Sequence, residues 1–116
     1  MDDRRARELV AAERERIEAA LRDLTVERRA ESDLGQQQTG ESDPGSELAT
    51  EMVDEALGAE LRAELDAVSR AEARIEAGTY GRSVESGGAI PLERLEAQPL
   101  AERTVEEQRR FDANAG

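Results

Sequence analysis

Two long segments, each rich in helix-forming residues and each carrying one narrow apolar stripe, constrain the fold of this chain most strongly. The first runs from about Asp3 to Asp33 and the second from about Glu47 to Ala77. Ala, Glu, Arg and Leu dominate both segments, and these residues favour helix. A seven-residue apolar period produces a seam along one side of a helix. The stripes consist of Val10, Ile17 and Leu24, with Leu21 beside them, and of Leu61, Val68 and Ile75, supported by Leu57 and Leu65.

The residues between the two segments break this pattern, because they contain three glycines, one proline and several polar side chains. We expect Ser46 to cap the second helix by accepting a hydrogen bond from a free amide. Gly58 costs that helix about 1 kcal/mol relative to alanine, and Gly78 stands where a helix stop is expected. Two helices with narrow apolar seams and a polar turn between them bury those seams best by packing against each other. Residues 1–78 are therefore predicted to form a long antiparallel coiled-coil hairpin, with its tip at about residues 34–47.

The chain changes character after Gly78, since glycines and prolines interrupt short apolar pieces up to a last helix predicted over residues 102–111. A segment of this size is marginal alone. We therefore expect residues 79–116 to form a small module that packs on the base of the hairpin, near Val10 and Ile75. The predicted buried side chains of this module are Tyr80, Val84, Ile90, Leu92, Leu95, Leu100 and Val105, with Phe111 as a further candidate.

The chain contains no cysteine and no histidine, which excludes several kinds of site. Thiolate and imidazole zinc sites, disulfides, a cysteine nucleophile and a histidine base are all impossible. No phosphate-binding loop or nucleophile elbow is visible, so we expect neither an enzyme nor a cofactor or metal. The N-terminus lacks a signal-peptide pattern, and no run approaches the ~20 apolar residues of a membrane span. These observations predict a cytoplasmic protein that does not associate with membranes.

The net charge of −12, from 16 basic and 28 acidic residues, argues against direct binding to DNA or RNA, because phosphate contacts need clustered cations. The charge is uneven: residues 41–66 hold nine acids and one arginine, Arg62, whereas residues 2–31 hold nine acids and eight arginines. This asymmetry has two interpretations. The acidic part could steer the chain towards a positively charged partner, or it could be an ordinary solvated face.

Residues 79–108 carry a family resemblance. They read TYGRSVESGGAIPLERLEAQPLAERTVEEQ and resemble the C-terminal module of the DksA/TraR family of bacterial RNA polymerase regulators. In that family Y-G-x-C-x-x-C-G is followed by I-P-x-x-R-L-E-A-x-P and then by C-x-x-C. The matching framework residues are Tyr80, Gly81, Gly87, Ile90, Pro91, Arg94, Leu95, Glu96, Ala97 and Pro99.

The four cysteine positions of the family are occupied here by other side chains, namely Ser83, Ser86, Thr104 and Glu107. The resemblance therefore implies a degenerate zinc-finger-like module that is folded without metal. The alternative is that residues 79–108 have lost their structure together with the ligands. We expect Arg94 to connect parts of the module through a carboxylate or a carbonyl group, or else to face solvent.

A second resemblance lies at the predicted tip, where SDPGSELA is similar to the family's D-P-x-D-x-A. Asp43 and Pro44 match, Ser46 takes the place of the second acid, and Glu47 follows one position later. Family members with that tip insert the hairpin into the secondary channel of RNA polymerase and act near its active site. The resemblance implies that these four residues contact polymerase and modulate initiation. The other interpretation is an ordinary turn, which Asp-Pro-Gly favours in many proteins.

The resemblance also bears on ligands and partners. Many family members respond to guanosine tetraphosphate through basic groups, but Gln98 and Gln108 stand at two such positions here. Weak or absent nucleotide coupling is therefore implied, because charge-assisted hydrogen bonds would be lost. We expect a mainly all-α, monomeric transcription regulator that binds polymerase without contacting DNA. The alternatives are a coiled-coil scaffold or adaptor that has lost polymerase binding, and a partly disordered chain.

Overall fold

The computed structural model describes the backbone of residues 1–37 and 44–115, and the side chains of residues 1–27 and 52–115. An isolated antiparallel bridge joins Arg82 and Ala89, and the described residues contain no strand. The predicted all-α fold class is therefore confirmed. The helices are α1 (Asp3–Gln37), α2 (Pro44–Ala77), α3 (Leu92–Ala97) and α4 (Val105–Ala115).

Both long helices extend further into the predicted tip than the sequence pattern indicated. α1 continues to Gln37 rather than ending near Asp33, and α2 begins at Pro44 rather than Glu47. Proline suits this position, because its fixed φ is helical and the first turn needs no amide donor from it. Ser46 consequently lies inside α2 and not at its N-cap, so the capping prediction was wrong.

The chain divides into two compact units. Unit 1 comprises Met1–Arg14 and Ala67–Gly116, and unit 2 comprises Glu15–Asp66. Each unit therefore contains part of α1 and part of α2. The predicted domain boundary after residue 78 falls inside unit 1. No helix in the described part of the chain is long and apolar enough to cross a membrane.

The two long helices run antiparallel in unit 1. Arg7 Nη2 of α1 lies 3.5 Å from Glu76 Oε1 of α2, and Arg14 Nη2 lies 2.6 Å from Glu72 Oε1. Exposed ion pairs of this kind contribute little stability, so the apolar seam holds the helices together. Its buried side chains are Ala6, Val10, Val68, Ala71 and Ile75, which confirms the unit 1 part of both predicted stripes.

Unit 2 contains the rest of the seam. Ile17 is completely buried and Leu61 is 7% exposed. An ideal Cβ at Gly58 would lie 3.7 Å from Leu24 Cδ2, so the two helices approach closely at the glycine. Leu57 was predicted to support the stripe but is 43% exposed. Its position one residue before Gly58 places it beside the seam, because successive helical residues point about 100° apart.

Replacing Gly58 by alanine is expected to stabilise the protein by about 0.5–1 kcal/mol, because glycine loses more backbone entropy than alanine in a helix. The added methyl group would meet Arg62 at 3.6 Å and Leu24 at 3.7 Å, which are ordinary van der Waals distances. Urea unfolding followed by circular dichroism measures the change. Gly78→Ala is the opposing control and should destabilise. A loss of stability in Gly58→Ala would show that the helices leave no room for a methyl group.

α2 stops where the sequence predicted. Gly78 has φ +77°, a left-handed conformation that glycine adopts without steric cost. The Thr79 amide then donates to the Arg74 carbonyl at 2.9 Å, which satisfies one of the last carbonyl groups of the helix. The C-terminal segment, residues 79–115, begins directly after Gly78.

The C-terminal segment buries fewer apolar side chains than predicted. Ile90 and Leu95 are 4% and 3% exposed, and Tyr80 and Leu100 are half-buried. Two buried positions are instead polar, at Ser83 and Glu107. The core of the segment is therefore partly built from hydrogen bonds, which leaves less room for aliphatic groups. The prediction was wrong for Val84, Leu92, Val105 and Phe111, which are 44–55% exposed.

Candidate functional site

The buried carboxylate of Glu107 is the centre of the candidate site, and the start of α4 holds it in place. The Glu107 amide donates to Thr104 Oγ1 at 3.2 Å, and the Thr104 amide donates to Glu107 Oε1 at 2.9 Å. This reciprocal pair is a capping box, which needs Thr and Glu three residues apart. The sequence T-V-E-E carried that signal, and it explains why α4 begins at Val105 rather than Glu102 as predicted.

Ser83 organises the other side of the site through a tight turn. Its Oγ accepts hydrogen bonds from the amides of Glu85 at 3.1 Å and Ser86 at 3.3 Å. Its own amide donates to the Gly88 carbonyl at 2.8 Å, and the Gly87 amide donates back to the Ser83 carbonyl at 2.9 Å. Local hydrogen bonds therefore close the turn and leave the Ser83 hydroxyl hydrogen available as a donor.

The turn and the residues before α4 meet, since the Val84 amide donates to the Glu102 carbonyl at 2.9 Å, and the Glu107 carboxylate lies at the start of α4. The Thr104 amide donates to it directly, and the nearby hydroxyls of Ser83, Ser86 and Thr104 also favour its ionised form. The Thr104 amide bond, with these hydroxyls, outweighs the effect of burial and lowers the pKa of Glu107 to about 2. The structure pairs Thr104 with Glu107 and Ser83 with Ser86, which are the four positions at which the resembled family carries cysteine.

These four side chains do not fit a zinc ion. Zinc in structural sites is held by thiolate and imidazole ligands, whereas this cluster offers three hydroxyls and one carboxylate. The carboxylate already accepts a hydrogen bond from the Thr104 amide. Elsewhere in the described residues, no group of three or more acidic side chains is arranged to hold a metal. We therefore assign no step to a metal.

Framework residues around the site connect the turns to each other. The Tyr80 hydroxyl donates to the Pro99 carbonyl at 2.7 Å, and Arg94 Nε donates to the Arg103 carbonyl at 2.8 Å. Burial raises the pKa of Tyr80, which keeps the phenol a donor. Both hydrogen bonds satisfy backbone carbonyl groups that lie outside the helices, where no helical amide is available as a donor.

Ion pairs attach the C-terminal segment to the two long helices within unit 1. Arg70 of α2 pairs with Glu102 in a two-pronged contact of 2.9 and 3.3 Å, and Arg74 adds a contact at 3.4 Å. Burial raises the pKa of Glu102, but the Arg70 hydrogen bond and the charges of nearby arginines outweigh it and lower the pKa overall. Arg5 of α1 contacts Glu96 in the same two-pronged way, at 2.8 and 3.2 Å.

The side chains of the predicted tip lie outside the part of the chain that the structure describes. Asp43 lies outside the described residues. Pro44, Ser46 and Glu47 belong to the backbone of α2, and their side chains also lie outside the described residues. The assignment of these residues to a partner contact stays a prediction.

Comparison with known proteins relates the chain to transcription factors. No protein-family model matches it. It is 40% identical to general stress protein 16O of Bacillus subtilis over 67 residues, which is 58% of this chain and 41% of that protein. It is 34% identical to the RNA polymerase-binding transcription factor DksA of Caulobacter vibrioides over 89 residues, which is 77% of this chain and 58% of that protein. The matched region thus covers about half the length of these curated relatives.

The fold is also similar to that of a transcription factor. The structure of transcription factor DksA2 from Pseudomonas aeruginosa superposes with a TM-score of 0.80 at 26% identity, over 97% of this chain and 84% of that chain. The helical architecture and these matches define a coiled-coil fold of the transcription-regulator class. The chain is a member of the DksA-like family. This result confirms the family resemblance seen in residues 79–108, while the zinc-finger-like character of that segment stays a prediction.

Proposed function

We propose that the protein is a non-enzymatic, cytoplasmic transcription regulator that binds RNA polymerase as a monomer. The observation that carries the proposal is the 34% identity, across 77% of this chain, to a DksA named as an RNA polymerase-binding transcription factor. The TM-score of 0.80 with DksA2 supports it, because the similarity extends along 97% of the chain. We further propose that the tip enters the secondary channel of polymerase and modulates initiation.

The charge of the described part of α2 supports a protein partner with a basic surface. Glu55, Glu60 and Asp66 are exposed, and Asp54 and Glu64 are half-buried. Acidic side chains on one stretch of helix attract a cationic groove over about a Debye length, ~8 Å at physiological salt. The same charges repel nucleic acid phosphates. Association with the partner should therefore weaken as salt rises, without any direct contact to DNA.

The residues that we assign to polymerase contact are Asp43, Pro44, Ser46 and Glu47. α2 begins at Pro44, so Glu47 belongs to its first turn, where negative charge is favourable. An acid that stabilises its own helix end can also present a carboxylate to a basic partner. The tip sequence would then offer negative charge to such a partner.

Weak coupling to guanosine tetraphosphate is part of the proposal. Gln108 donates from Nε2 to Asp112 Oδ1 at 2.9 Å, so its amide group is engaged with a carboxylate. Gln98 is exposed and uncharged. Neither residue supplies the positive charge that strong phosphate binding requires.

Quantitative binding of the full-length chain to purified RNA polymerase tests the proposal. Replacing Asp43 and Glu47 together by alanine is expected to weaken binding about tenfold or more, since tenfold corresponds to about 1.4 kcal/mol. Glu93→Ala, an exposed acid on α3, is the matched control and should bind like the native chain. Equal binding by the double variant would remove the tip from the mechanism. Failure of the native chain to bind, with self-association in sedimentation, would instead indicate a coiled-coil scaffold.

A further inference from the structure

The exposed apolar side chains of α2 are concentrated in one short stretch. In the described part of this helix, the large apolar side chains that face solvent are Met52, Val53 and Leu57, which are 62%, 65% and 43% exposed. Val53 and Leu57 are four residues apart, so they are neighbours on one face of the helix. Single exposed apolar residues are common on protein surfaces, whereas a cluster indicates a contact site. We call these three side chains the apolar patch.

Acidic residues continue the same face of α2 towards its C-terminus. The stripe runs at intervals of four, three and four residues through Val53, Leu57, Glu60 and Glu64. This spacing keeps side chains on one side of a helix. Glu60 is exposed and Glu64 is half-buried. A partner that covers the apolar patch therefore meets two carboxylates directly beside it.

The charge of this stripe restricts what can cover the apolar patch. Nucleic acids and anionic lipid head groups carry phosphates, which the two carboxylates repel. A second copy of this chain is disfavoured as well, because it would bring the same carboxylates and its own net charge of −12. A protein surface with an apolar depression and Lys or Arg at its border complements both parts of the stripe.

We propose that the apolar patch anchors a protein contact that continues from the tip along α2, with Glu60 and Glu64 pairing with basic residues of the partner. That partner is the RNA polymerase of the proposed function, on which the inference rests. α2 begins at Pro44, and Met52 follows eight residues later, or about 12 Å along the helix axis. A surface that receives the tip and continues a short distance along α2 therefore reaches the patch. Covering the patch removes apolar area from water, which favours association without charge pairs that salt would screen.

Binding of the full-length chain to purified RNA polymerase tests the apolar part of the contact. Replacing Val53 and Leu57 together by glutamine should weaken binding about tenfold or more, because apolar burial is lost and a polar amide must be desolvated. Glutamine favours helix, so the variant should keep the native circular dichroism spectrum. Val26→Gln is the matched control, since Val26 is 63% exposed on α1, and this variant should bind as the native chain does.

The salt dependence of binding tests the acidic part of the contact. Replacing Glu60 and Glu64 together by glutamine should make the dissociation constant less dependent on salt, because fewer charge pairs are screened. The variant with glutamine at positions 53 and 57 should keep the native salt dependence. An unchanged salt dependence in the Glu60 and Glu64 variant would overturn the pairing of these acids with a basic border.

The outcomes separate this inference from the proposed function. Native affinity in the variant of Val53 and Leu57 would overturn the inference and leave polymerase binding intact. Failure of the native chain to bind polymerase would refute the proposed function and the inference together. Self-association of the native chain that the variant of Val53 and Leu57 abolishes in sedimentation would show that a second copy covers the patch, which also overturns the inference.

Discussion

Acidification is expected to destabilise the native chain as the pH falls from 4.5 to about 2, and Glu107→Gln is expected to remove part of that loss. The folded state lowers the pKa of Glu107 from its ordinary value of 4.5 to about 2. Between these values the unfolded chain takes up a proton that the folded chain does not, so unfolding is favoured. The stabilisation is complete above pH 4.5 and is lost as the pH falls through about 2.

The comparison with Glu107→Gln is needed because other carboxylates act in the same direction. The hydrogen bond from Arg5 lowers the pKa of Glu96, and arginines lower that of Glu102. Urea unfolding at a series of pH values should show a shallower loss of stability in Glu107→Gln, equivalent to about one proton fewer taken up on unfolding. Glu93→Gln, an exposed acid on α3, should keep the native slope. Identical slopes for the native chain and Glu107→Gln would contradict the buried, ionised state of that carboxylate.

Ile17→Ala is expected to cost about 2–5 kcal/mol, because it removes a large apolar side chain from the seam and leaves a cavity. Ile17 is completely buried in unit 2, where Leu61 is the other well-buried stripe residue. A loss of this size is a large fraction of the 5–15 kcal/mol that stabilises a typical domain, as estimated for globular proteins in general.

The free energy of unfolding is measured in urea, with helicity as the signal that reports unfolding. Val26→Ala is the matched control on the same helix: Val26 is 63% exposed, and its truncation should change stability by no more than about 0.5 kcal/mol. If Ile17→Ala behaved like Val26→Ala, the seam would not be the source of the stability of unit 2.

The parts of the fold that local patterns encode were predictable. A seven-residue apolar period specified which residues face the seam, and Val10, Ile17, Leu61, Val68 and Ile75 are buried as expected. Local patterns were less informative where two rules competed. Glycine and proline in residues 34–46 suggested a long turn, yet proline also starts helices well, so α2 begins at Pro44.

The burial of the C-terminal segment was predicted less well, because hydrophobicity alone does not specify which side chains face inwards in irregular chain. Leu92 opens α3 and Val105 opens α4, and both are exposed. The polar residues Ser83 and Glu107 are buried, although neither was expected to be. The family resemblance marked these two positions as unusual, although it could not show that they meet.

The amino-acid order was sufficient for the two long helices and for the stop at Gly78, because helix propensity, apolar period and positive φ all act over a few neighbouring residues. The polar centre at Glu107 needed the folded chain. Ser83 and Ser86 lie about twenty positions before Glu107 in sequence, and they influence its pKa only when the turn and α4 come together. A contact of that range has no local signature, since the groups that offset the desolvation of the carboxylate come from a distant part of the chain.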